Sequence, residues 1–163
     1  MVSEMLRKAV VIISRSLFYI AVVGGMFMAA LVFVSTIMRY LFGAPISFSD
    51  ELAGLLFFSL AFMTLPHVML EKKHVSIDFI SKSCSPKIRS MFSVLASLVM
   101  IVFAVVFIYE SWDFMRFSYQ IDAKSDIGSI LLWPWMLLMP LSMGLCLVIK
   151  LLDVVSVIRP REK

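Results

Sequence analysis

The sequence predicts an all-α integral membrane protein with four transmembrane helices. Hydrophobic residues make up 61% of the chain and charged residues only 16%, where a soluble domain carries about 25% charged. The apolar residues fall into four runs, each bounded by charges and each roughly 20 residues long, the length that crosses a ~30 Å hydrocarbon core at 1.5 Å per residue. Lys and Arg collect in alternate gaps between those runs, which is the pattern of a membrane topology signal.

The first span is Ser16 to Met38, with no charge between Arg15 and Arg39. Its length, and the arginine after it, argue for a retained helix over a cleaved signal segment. Ahead of it, Met5, Leu6, Ala9, Val10, Ile12 and Ile13 recur at helical spacing beside Arg7, Lys8 and Arg15. That stretch reads either as an amphipathic helix on the inner surface or as a continuation of the first helix. Glu51 and Glu71 bracket the second span, Leu52 to Leu70. Arg89 and Glu110 bracket the third, Ser90 to Tyr109. Asp126 and Lys150 bracket the fourth, Ile127 to Ile149. Each span must be helical, because lipid offers the backbone no hydrogen-bond partner. The 163 residues form a single membrane domain, with no repeats or linkers.

Orientation follows from the flanks. Arg7, Lys8 and Arg15, then Lys72, Lys73, Lys82, Lys87 and Arg89, then Lys150, Arg159, Arg161 and Lys163 place twelve basic residues on one side. Arg39, Arg116 and Lys124 leave three on the other. This predicts both termini and the middle loop in the cytoplasm. Trp112, Trp133, Trp135, Tyr40, Tyr109 and Tyr119 gather toward the opposite boundary as an aromatic belt. The net charge of +4 is therefore a topology signal and not a nucleic-acid surface; membrane lipid is the expected surrounding.

Few residues suggest chemistry. Ala21, Gly25 and Ala29 let another backbone approach the first span, that of a partner subunit or of this chain's own bundle. In the first outer loop Gly43 and Pro45 make a turn. Ser47 and Asp50 fit a capping-box spacing. Arg39 faces Asp50 and Glu51 across the hairpin as a candidate ion pair. Glu110, Asp113 and Arg116 read as an outward extension of the third helix with local ion pairs, and as a docking surface for an outer partner. His67 and His74 lie at one end of one hairpin, which does not suit axial heme ligation; His67 reads as a hydrogen-bonded interfacial histidine. Cys84 and Cys146 form no motif, so neither disulfide, metal site nor cofactor is expected. No ionisable residue falls deep inside any of the four spans, so the chain alone is not expected to transport or catalyse. Pro140 is the one feature that could loosen the fourth helix.

In order along the chain, Arg39-Tyr40, a Gly/Pro turn, Asp50-Glu51, His67, the string Glu71-Lys-Lys-His74-Val75-Ser-Ile77-Asp78, then Trp133-Pro134-Trp135 and Pro140 resemble the small membrane subunit of tripartite ATP-independent periplasmic (TRAP) transporters. The likeness covers nearly the whole chain. One departure is Phe48, near the place where the family often shows a tryptophan. The resemblance implies a non-enzymatic scaffold in a bacterial inner membrane. It also implies two partners: a large membrane subunit that carries an organic acid, such as a dicarboxylate or a sialic acid, on a sodium gradient, and a periplasmic substrate-binding protein. The competing readings are a membrane anchor of a respiratory enzyme and a self-associating structural protein.

Overall fold

A computed structural model describes residues 2–71 and 86–158; His74, Asp78 and Cys84 lie outside this range. The described residues form helices α1 (Val2–Leu41), α2 (Ser49–Glu71), α3 (Pro86–Gln120), α4 (Trp133–Met136) and α5 (Leu138–Ile158). Four segments are long and apolar enough to cross a membrane, as the four charge-free runs predict. The chain is a multi-pass membrane protein.

α1 is one unbroken helix of 40 residues, about 60 Å long. This settles the N-terminal alternative in favour of a continuation and corrects the idea of a separate amphipathic helix: no glycine or proline interrupts residues 5–20. α1 ends where Gly43 takes a left-handed φ of 65° and Ala44 N–H returns to the Met38 carbonyl. α2 opens at Ser49, and the Phe48 carbonyl accepts its first helical bond from Leu52. The cap expected at Ser47 thus lies one residue too early. α3 ends in a Schellman turn: Asp122, at φ 51°, donates its N–H to Tyr119, and Ala123 donates to Ser118.

The fourth span is corrected at its N-terminal end. Residues 121–132 form a short hairpin, with Lys124 bridged to Leu131, Ser125 N–H on Ile130 and Leu132 N–H on Ala123. The run from Ile127 is uncharged, but Gly128 and Ser129 (φ 50°) turn it back. Helix begins only at Trp133, with Pro134 in the first turn, where its missing N–H costs nothing. Pro140 likewise sits in the first turn of α5, so it marks the step between α4 and α5 and does not loosen a helix interior.

The long helices stand in a row, not a closed bundle. α2 packs on α1 at one side and on α5 at the other, α5 packs on α3, and α1 only brushes α5. The row exposes large apolar surface on its outer helices, including Met26, Phe27 and Phe33 of α1 and Val99, Val102 and Val106 of α3.

Small residues make the contacts within it. Ala21, Ala104 and Cys146 are buried, and so are seven serines among the described residues, as expected where helices meet in lipid without a hydrophobic driving force. One serine repairs a specific defect. Pro66 inside α2 removes the N–H that would bond the Phe62 carbonyl, and Ser142 of α5 donates its hydroxyl to that carbonyl instead. Replacing Ser142 with Ala should lower stability in detergent by about 0.6–1.7 kcal/mol, the range of interhelical hydrogen bonds in membranes. The same substitution at exposed Ser16, away from this carbonyl, provides the comparison in thermal unfolding.

Candidate functional site

The best-organised polar cluster lies where α2 begins. Glu51 turns its carboxylate onto the hairpin 121–132. Ser125 Oγ donates to Oε2 at 2.7 Å, Gly128 N–H to Oε2 at 2.7 Å and Ile127 N–H to Oε1 at 2.8 Å. Ser125 Oγ also accepts from Ile130 N–H at 3.1 Å. One carboxylate thus collects the donors of a turn 74 to 77 residues away in sequence. Gly128 permits this approach: a Cβ there would stand 3.0 Å from Phe48 Cβ, 3.1 Å from Glu51 Oε2 and 3.2 Å from Ile130 Cγ1. Charge-assisted bonds of this length are the stronger class.

This arrangement divides the acidic pair. Arg39 pairs with Asp50, Nη2 to Oδ2 at 3.4 Å, with both side chains at least half exposed. Glu51 is occupied by the hairpin, so the Arg39–Glu51 alternative is corrected. Asp50 and Glu51 are consecutive on a helix, 100° apart around its axis, and cannot both face Arg39. The loop's other anchor is Ser49, buried, which shares a 2.7 Å hydrogen bond with Ser35 of α1 and donates to the Ile46 carbonyl. Sequence reasoning missed Ser125, Gly128, Ser35 and Ser49. The Ser-Asp-Ile-Gly-Ser string at 125–129 held a turn signal, masked by its place in an uncharged run.

The other candidates scatter. Ala21 is buried, and a Cβ on Gly25 would come 2.6 Å from Leu60 Cδ1 of α2. Those two members of the small-residue stripe therefore serve packing inside the chain, whereas Ala29 is exposed. His67 has its ring centroid 4.4 Å from that of Phe18 and Nε2 3.3 Å from Glu71 Oε1, an intrachain role. Trp133 meets Tyr119 edge-on at 5.5 Å; Pro134 and Trp135 complete the α4 turn.

Glu110, Asp113 and Arg116 are all exposed on α3, but no ion pair joins them among the described residues. Phe107 stacks 6.1 Å from Phe62 of α2, and Ser118 Oγ donates to Met136 Sδ. Residues 107–118 thus lie between the levels of Phe62 and Met136. The expected continuation of the third helix runs on to Gln120, while the expected local ion pairs are corrected.

Residues 28–160 match the family described as tripartite ATP-independent periplasmic transporters, DctQ component. The chain belongs to the DctQ family. It is 23% identical over 121 residues to a Haemophilus influenzae protein named for a TRAP transporter small permease, covering 73% of each chain. A second small permease protein of that organism is 26% identical over 103 residues, 63% of each chain. A 93-residue stretch, 55% of this chain, is 30% identical to the sialic acid TRAP transporter permease protein SiaT of the same species, of which it covers 15%. The chain is a small permease subunit of the TRAP type.

Proposed function

We propose that this DctQ chain is the non-catalytic scaffold of a sodium-coupled importer of organic acids, such as dicarboxylates or sialic acid, in a bacterial inner membrane. It braces a large membrane subunit that holds the transport path, and its Glu51-locked outer cap helps seat a periplasmic substrate-binding protein. Both termini face the cytoplasm, in keeping with the twelve-to-three split of basic residues.

The observation that carries this reading is the open row of helices. A transport path needs helices around a polar cavity, usually with broken helices or ionisable groups turned inward. Here a hollow lined by Leu95, Ala96, Val99, Met100 and Phe103 is a shallow apolar dish on the outside of α3. The match to part of SiaT supports the partnership with a large subunit, since there a similar segment sits inside a much longer permease chain.

Reconstitution tests the division of labour. The lone chain in liposomes should give organic-acid uptake no higher than empty vesicles under a sodium gradient. Vesicles holding both membrane subunits, supplied with the binding protein, should give sodium-dependent uptake. Uptake by the lone chain would refute the scaffold assignment.

A further inference from the structure

From the register of α3, we infer that Glu110 and Asp113 lie within the hydrocarbon layer and face a membrane-spanning segment of the large subunit that presents a basic side chain to them. The inference rests on the scaffold reading and adds the place and chemistry of the contact.

Depth comes from α2. Its apolar run, 52–70, is bracketed by Glu51 and Glu71 and at about 28 Å matches a ~30 Å core. Phe62 stands in the middle of that run, and Phe107 stands against Phe62. Counting outward from Phe107, Glu110 lies about 5 Å, Asp113 about 9 Å and Arg116 about 14 Å from the midplane, inside a half-thickness of ~15 Å. The other end of the row agrees with this register: the hairpin that leads into α4 is bonded to Glu51 at the start of α2, and α4 meets α3 through Ser118 and Met136. This register departs from the charge-free membrane interior expected of the third span.

Direction comes from the helix surface. Ala104, Ser111, Met115 and Ser118 are buried and mark the side of α3 turned to α5. Asp113 stands on the opposite side, with Glu110 and Arg116 flanking it and exposed Val102, Val106 and Tyr109 continuing the same face inward. Lipid would meet the valines readily, but two carboxylates at this depth require a matching charge or donors. The chain itself places no basic side chain within 4 Å of either acid among the described residues. The face combines an apolar half with a half that carries two acids and one base, Arg116; the surplus negative charge fits a partner helix with a basic residue in its outer half.

The test uses the complex of both membrane subunits, expressed together. In a background carrying Cys84→Ser and Cys146→Ser, Phe114→Cys keeps both acids and reports depth, while Asp126→Cys on the hairpin reports the outside. A membrane-impermeant thiol reagent should label position 126 and spare 114. Asp113→Leu should lose most of the co-purifying large subunit, whereas Asp126→Asn should retain it. Because Asp113 is exposed in the lone chain, Asp113→Leu should leave that chain's thermal unfolding unchanged or raise it, which separates lost contact from misfolding. Labelling of 114 as fast as 126 would place the segment in water and overturn the inference. Protection of 114 with full co-purification of Asp113→Leu would place the face against lipid and overturn it equally. If the wild-type chain fails to retain a large subunit, the scaffold reading falls first and this inference with it.

Discussion

Replacing Glu51 with glutamine is expected to free the hairpin 121–132 from α2. The carboxylate meets donors only: one hydroxyl and two backbone N–H groups, all at 2.7–2.8 Å. A carboxamide keeps one accepting oxygen and turns an NH2 group toward the other donors. At least one N–H of the Ile127–Gly128 turn then loses its partner, and the surviving bonds lose their charge assistance. Amide hydrogen exchange reads this directly. The amides of Ile127 and Gly128 should exchange on the order of tenfold faster or more in Glu51→Gln than in wild type. Amides in the middle of α2 should not change. Glu51→Asp, one methylene shorter, should recover only part of the protection. A swap of Arg39→Glu with Glu51→Arg should recover none, because Arg39 is the partner of Asp50. Equal exchange in wild type and Glu51→Gln would show that the clamp does not hold the hairpin, and recovery in the swap would restore the Arg39–Glu51 pairing.

The residues in that experiment also show what a sequence of this kind discloses. The count of four spans was legible because charges separate the apolar runs, and charge within a run is costly. The ends of α2 were legible for the same reason, with Glu51 and Glu71 on either side. The start of the fourth helix was not, because nothing charged separates the hairpin from the helix beyond Asp126; Gly128, Ser129 and Pro134 were the available marks. The ion pair was half legible. A hairpin brings Arg39 close to Asp50 and Glu51 by local geometry, but the choice between them was made by Ser125 and Gly128, more than 70 residues away. The depth inferred for Glu110 and Asp113 was illegible in principle from α3 alone. A 35-residue helix offers several 20-residue windows to the membrane, and the choice among them lies in Phe62, Met136 and the other neighbours that set its register. The small-residue stripe announced a close contact without naming its partner, and Leu60 supplies the name.

That contact should be the chain's least forgiving position. Gly25 and Gly24 are adjacent on α1, 100° apart around its axis, and their surroundings differ sharply. A Cβ at Gly25 would come 2.6 Å from Leu60 Cδ1, whereas one at Gly24 would meet nothing within 4 Å. Leu60 Cδ1 is the end of a flexible side chain, so Gly25→Ala can be absorbed by a rotamer change and should be mild. Gly25→Leu adds three more carbons toward α2 and cannot be absorbed in that way. It must push α1 off α2, loosening a helix pair that also carries the Ser35–Ser49 hydrogen bond at its outer end. Overpacking of this sort costs about 1–3 kcal/mol, and no second neighbour offers α1 comparable support, since it only brushes α5. Thermal unfolding of the lone chain in mild detergent should rank wild type and Gly24→Leu together, Gly25→Ala slightly below, and Gly25→Leu lowest by a wide margin. Equal loss in the two leucine variants would mean that glycine matters here for helix flexibility and not for the approach of α2.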